Sequence, residues 1–159
     1  DDDKKEKMRN LKNECENFIN KSMFFMEEDR NTFTALMDCF KLPKETEEEK
    51  SYRSKTIRKK TIEAMEAPLN LAKTALGFYE NIEFAVEYGN KNLTSDAIVS
   101  AILLHSAIES AVVNVFVNYN SLGNKEGYEN IPNECREIMS ESLNKKTEIL
   151  KKEINIETY

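Results

Sequence analysis

Two small groups of side chains in this sequence could do chemistry. One is Ser95-Asp96 at an expected helix start. The other is Lys41 and Lys44, which flank a Leu42-Pro43 break. A carboxylate at the mouth of a helical bundle can protonate or orient a heterocycle if partial burial tunes it. The same carboxylate beside a serine also suits plain helix capping. Lysines at a chain break are ordinarily solvated, yet Lys50, Arg53, Lys55, Arg58, Lys59 and Lys60 follow within one stretch. That is a local basic patch able to attract a polyanion, unless the charges pair along the surface, as Glu49 and Arg53 could at i,i+4. Asn114 and Asn118 share one face of an apolar segment. Buried amides there require partners, either an inter-helix or dimer contact or a polar planar ligand. The only histidine, His105, lies in the same segment, where a lone core histidine is more often structural. No dinucleotide fingerprint, Walker A loop, HExxH helix, nucleophile elbow or zinc spacing occurs, so no metal ligand is assigned.

These residues must be held by helices. From about Lys4 to Phe40, apolar residues recur at three- and four-residue steps, with Asp29-Arg30-Asn31 a weak point. Leu42-Pro43 ends that helix. Thr46 followed by Glu49 is a capping box for the next one, and three glutamates in its first turn suit the dipole. Pro68 interrupts this second pattern. The expectation is a kinked, nearly continuous helix to Tyr88, closed by Gly89 as a left-handed cap. Thr94 or Ser95 then caps a helix from about Asp96 to Tyr119 that is apolar on most sides and therefore central or interfacial. Gly123 and Gly127 break the pattern, and an amphipathic helix runs from near Pro132 to about Glu153. The expected fold is all-α, a single domain over 1–159 built as a bundle of about four or five long antiparallel helices.

Bulk properties fit that picture. A chain of 159 residues can bury a real core, and four Gly and three Pro are too few for many tight turns. The net charge of −6 argues against a dedicated nucleic-acid binder. No run of 18 apolar residues is present, so no membrane span is expected. No signal-peptide pattern opens the sequence. Asp1 to Lys4 reads equally as the end of an enterokinase-type tag and as an acidic helix start. Cys15, Cys39 and Cys135 are far apart and odd in number, which implies free thiols in a reducing, cytoplasmic setting.

Several short segments fall in a specific order. They are Leu36-Met37 with Phe40-Lys41-Leu42-Pro43-Lys44; Thr46 to Lys50 with Arg53; Ala67-Pro68-Leu69; Gly89-Asn90 with Ser95-Asp96; and Asn114-Val115 with Asn118. From about Phe33 to Asn118, half the chain, this set resembles the cyclodeaminase domain of the formiminotransferase-cyclodeaminase family and its single-domain relatives, the methenyltetrahydrofolate cyclohydrolases. The resemblance implies a folate one-carbon enzyme, as in histidine degradation. The first expectation is the formimidoyltetrahydrofolate cyclodeaminase reaction, and the alternatives are the cyclohydrolase reaction or a non-catalytic helical scaffold. It implies that Asp96 handles protons or orients the pterin and that Lys41 stabilises negative charge or binds a folate carboxylate. Lys44, Arg53, Ser95, Asn114 and Asn118 would bind substrate. No cofactor beyond a tetrahydrofolate derivative, with or without a polyglutamate tail, is implied. The implied partners are that folate and a second copy in a homodimer, with no nucleic acid and no membrane. The family's opening helix with its Pro-Gly-Gly-Gly-Ser segment has no counterpart in the sequence, so the apolar 96–119 helix is expected to expose a face unless a partner covers it.

Overall fold

The computed structural model describes residues 2–154. Its elements are α1 (Asp2–Cys39), α2 (Glu47–Gly77), α3 (Tyr79–Tyr88), a single 3-10 turn (Lys91–Leu93), α4 (Thr94–Ser121) and α5 (Ile131–Ile154). No strand occurs among the described residues. The helices run up and down. Arg53 reaches back to Phe40, Phe18 stacks on Phe78 at 4.2 Å, Asn118 meets Ala64 and His105 meets Ser142.

In α1, alternating three- and four-residue steps make the partly or fully buried seam, from Met8 and Leu11 through Phe18 and Phe25 to Leu36 and Cys39. This seam lies on α2 and α3, and Lys4 and Lys7 sit over the Tyr88 and Phe84 rings at 4.0 and 4.5 Å. Asp29-Arg30-Asn31 does not break the helix: Asp29 falls on the covered seam, and Arg30 is tied to Glu27 at 2.6 Å.

The start of α2 follows its local sequence. Thr46 Oγ1 accepts from the Glu49 amide at 3.1 Å, and Glu49 Oε2 accepts from the Thr46 amide at 3.1 Å. Pro68 does not end the helix; the break comes later, at Gly77-Phe78, before α3. Proline removes the N–H that would have bonded the carbonyl of residue 64. That carbonyl belongs to a residue only 3% exposed. Asn118 Nδ2 donates to it at 3.0 Å, from α4. The orphaned acceptor is thus satisfied across the helix interface.

Two other expectations change. Gly89 adopts φ −75°, ψ −177°, extended backbone rather than a left-handed cap. A glycine is needed there because an added Cβ would collide with the Ala85 carbonyl. α4 begins at Thr94 without a side-chain cap, because the 3-10 turn feeds directly into it.

The core is built where α4 crosses α2, α3 and α5. Met65, Ala72, Tyr79, Ala101, Ile108, Val115 and Cys135 are at zero exposure. The 91–121 segment is, by length and composition alone, long and apolar enough to cross a bilayer, although it holds no uninterrupted run of 18 apolar residues. Here it is the central helix of a bundle. Its inner face carries Ala101, Leu104, Ile108, Ala111 and Val115. Its outer face mixes Val99, Leu103, Val113 and Val117 with exposed Ser106, Glu109, Ser110 and Asn114.

Candidate functional site

The bundle distributes the expected site residues between its two ends. At one end, the turn after α1 presents Lys41 and Lys44, both exposed. Lys41 Nζ donates to Asp38 at 2.7 Å, and that bond, with the carboxylate's charge, holds the ammonium above its usual range. Arg53, on the first turns of α2, secures this turn. Its Nη2 donates to the Phe40 carbonyl at 3.3 Å, and its guanidinium sits 5.9 Å from the Phe40 ring centre. The anticipated Glu49–Arg53 pair gives way to this arrangement, because Glu49 is held in the capping box. Arg53 Nε is buried and has no hydrogen-bond partner among the described residues. A buried N–H without an acceptor costs free energy, so this atom suits an incoming anion or water.

Arg53 borders a cavity of about 260 Å³ between the N-terminal half of α2 and the chain that leaves α4, with Ile57, Arg58, Thr61, Leu122 and Asn124 around it. Arg58 also lines a neighbouring cavity of about 420 Å³ with Lys55, Lys59, Glu63, Glu66 and Tyr128, and it donates to the Glu126 carbonyl at 3.0 Å. Part of the basic stretch is neutralised within α2, where Lys50 pairs with Glu47 at 2.7 Å and Lys60 with Glu63 at 2.6 Å. Arg53, Lys55, Arg58 and Lys59 are left to give the two cavities a positive lining.

Asn118 stands just above this end. Its Nδ2 is used by the α2 backbone and by the Asn114 carbonyl at 3.1 Å, so only its Oδ1 remains for a ligand. Asn114 is exposed on the outer face of α4.

Ser95 and Asp96 lie at the other end, exposed in the first turn of α4. Asn118 is about six turns further along that helix, roughly 33 Å at 1.5 Å per residue. Because α2 runs antiparallel to α4, Lys41 lies beyond Asn118, at the far end. Within one chain, Asp96 and Lys41 therefore do not meet.

A third polar group surrounds His105, whose partners Ser142 and Tyr79 were not singled out in the sequence. His105 Nδ1 lies 2.8 Å from Ser142 Oγ. Ser142 Oγ lies 3.2 Å from Tyr79 Oη, which donates to the Ala101 carbonyl at 3.1 Å. All three side chains are buried. On its outer side, His105 Nε2 lies 3.5 Å from Glu109. Burial, then the nearby Lys146, push the imidazole below its usual pKa, and Glu109 opposes them. Burial raises the Tyr79 phenol. With Ser142 at zero exposure, this chain joins α3, α4 and α5 rather than presenting a nucleophile. The signal for Ser142 was a lone hydroxyl on the apolar stripe of α5, in step with Cys135, Ile138 and Ile149. Among the described residues, no three His, Cys, Asp or Glu side chains converge as a metal-holding group.

Comparison with known proteins gives the fold and its chemistry a context. The family model described as formiminotransferase-cyclodeaminase matches residues 1–137. A methenyltetrahydrofolate cyclohydrolase of Methylorubrum extorquens is 30% identical over 131 residues, covering 80% of this chain and 63% of that protein. A formimidoyltransferase-cyclodeaminase of Gallus gallus is 27% identical over 115 residues, covering 72% of this chain and 21% of that protein. Among solved structures, a formiminotetrahydrofolate cyclodeaminase from Thermotoga maritima superposes with a TM-score of 0.72 at 23% identity, over 86% of this chain and 64% of that one. The chain thus spans less than two thirds of the length of each.

Proposed function

This chain belongs to the formiminotransferase-cyclodeaminase family, and on that premise we propose that it acts on tetrahydrofolate one-carbon adducts, making or opening the bridge between N5 and N10. The reaction assigned first is cyclodeamination. N10 attacks the formimino carbon and gives up its proton, and the former imino nitrogen is protonated and leaves as ammonia. The N5–C–N10 methenyl cation remains. Proton transfer of this kind needs one group acting as base and then as acid. Asp96 is assigned that role. It is exposed in the single chain, so bound substrate or a second copy must cover it before burial can tune it.

The observation that carries the folate reading, beyond family membership, is the basic lip around Arg53. The buried, unpartnered Nε, with Arg58, Lys55 and Lys59 along the two cavities, suits the carboxylates of a folate glutamate tail. Arginine in particular favours planar carboxylate recognition. Lys44 extends the same positive edge, and Lys41 stands beside it, paired with Asp38. Asn114 and the Oδ1 of Asn118 would contact the ring system, and Ser95 would accompany Asp96. A homodimer is proposed because the two ends of one bundle hold different parts of the expected site. Cytoplasmic residence and no cofactor beyond the folate complete the reading.

The second reading is the cyclohydrolase reaction, in which water opens the methenyl bridge to the 10-formyl compound. It is favoured by the similarity to the Methylorubrum protein, of which this chain covers far more than of the Gallus protein. Both reactions pass through a tetrahedral carbon between N5 and N10. The separation of Asp96 from Lys41 is what a non-catalytic scaffold would also show.

The test is to purify the chain and follow methenyltetrahydrofolate absorbance with formimino and with formyl substrates, with ammonia measured in parallel. Turnover with ammonia release supports cyclodeamination, and turnover without it the cyclohydrolase. Neither activity, together with no folate binding by calorimetry, overturns the enzyme reading in favour of the scaffold.

A further inference from the structure

α1 carries two heptad seams. One is buried on α2 and α3. The other begins about 100° around the helix, one residue on from the first, and follows the same alternation of three- and four-residue steps. It consists of Ile19, Met23, Met26, Phe33, Met37 and Phe40, with Arg30 at its one polar step. These apolar residues are between 37% and 68% exposed, and Phe24 beside them is 58% exposed. A seam of this period and length suits another helix crossing at a shallow angle. α1 is also at the edge of the bundle, packed chiefly on α2 and α3, so a second body can approach its outer face.

We propose that this seam pairs with the same seam of a second copy, antiparallel, with the two-fold axis near residue 28. The inference locates the contact of the homodimer proposed above, and it does not depend on the folate chemistry. The one charged step decides both partner and direction. In a parallel pair, Arg30 would face Arg30 of the other copy, and like charges in one layer repel. In the antiparallel register, Ile19 layers on Met37 of the second copy, Met23 on Phe33, and Arg30 on Met26. The aliphatic stem of Arg30 then covers Met26. Its guanidinium reaches Glu27 of the second copy, the residue type it already holds within its own helix at 2.6 Å. The charge that would exclude an unrelated apolar helix is thus complemented by the seam's own carboxylate, twice, about the axis. The flanking Asn17, Asn20, Asn31 and Thr34 are neutral and add no like-charge block. Side chains of these types bury on the order of 100 Å² each from their present exposure. That gives roughly 600 Å² per copy, the lower edge of a stable interface.

Sedimentation or light scattering of the whole chain tests this. The wild type is expected at twice the chain mass of 18.4 kDa. A Met26→Glu, Phe33→Glu double variant is expected at once that mass, with unchanged helicity by circular dichroism because both side chains are solvent-facing in the single chain. Glu27→Arg and Arg30→Glu are each expected to weaken self-association at least tenfold. Mixed together, the two single variants are expected to form a one-to-one dimer, since one then offers two basic and the other two acidic side chains. A monomeric wild type overturns both the homodimer reading and this contact. A wild-type dimer that survives the Met26/Phe33 substitutions, or single variants that fail to recombine, overturns this contact alone and leaves the homodimer reading standing on another face.

Discussion

The side chains with the clearest assignments are those whose partners are close in the sequence. The Thr46–Glu49 box is formed as its spacing requires, because both partners lie within one helical turn. The partners of His105 and Asn118 are 37 and 54 residues away, and no local pattern announces them. Asp96 and Lys41 were grouped because both belong to the ordered set of segments that carries the resemblance, whereas within one chain the length of α4 separates them. Asp96→Asn is expected to abolish folate turnover while leaving the melting temperature nearly unchanged. An exposed first-turn carboxylate contributes at most about 1 kcal/mol through the helix dipole, so a loss of several degrees with turnover intact would return the residue to capping. His105 yields a pH dependence. Its folded-state pKa lies below the ordinary value of about 6.5. Its contribution to stability is therefore complete above about pH 6.5 and is lost as pH falls toward the folded value. Thermal melts from pH 7.5 down to 5.5 should show a falling midpoint, and His105→Gln should show a shallower fall.

Helices were legible from periodicity, and their ends were less so. Pro68 reads as a kink in a nearly continuous helix, because its missing N–H and its ring oppose regular helix. α2 nevertheless continues to Gly77, since α4 supplies the hydrogen bond that the orphaned Ala64 carbonyl needs. No reading of α2 by itself could contain that compensation. It has a measurable signature. Asn118→Ala alone should cost about 1–3 kcal/mol, the penalty for a buried acceptor left unmade. In a Pro68→Ala background the residue 68 amide can take the carbonyl, and the cost of Asn118→Ala should fall to well under half. Denaturant titration of the four proteins measures the coupling, and equal costs in both backgrounds would dissociate Asn118 from Pro68. The basic stretch of α2 was likewise visible as composition. Only the structure divides it into lysines paired within α2 and the Arg53, Lys55, Arg58 and Lys59 set that lines two cavities.

For the molecule as a whole, an all-α bundle in a single core was readable from scarce glycine and proline and from the unbroken apolar pattern of α4. What could not be read was how unevenly that core is shared. The inner face of α4 packs on α2, α3 and α5, and Ile108 and Val115 on that face have no exposure. α1, a helix of 38 residues, is held along one narrow seam that fully buries only Leu36 and Cys39. Native proteins open in units whose free energy follows the contacts each must break. In the single chain α1 can peel away while the rest of the bundle stays intact; the buried face of α4 opens only when α2, α3 and α5 separate from it. In deuterium, the amides of α1 between Met8 and Phe25 should therefore exchange through a partial opening that denaturant barely accelerates. Those around Ile108 should wait for global unfolding and follow its full denaturant dependence. The long helix that carries so much outward apolar surface is also the part of the chain that time-resolved exchange should see depart first and return last.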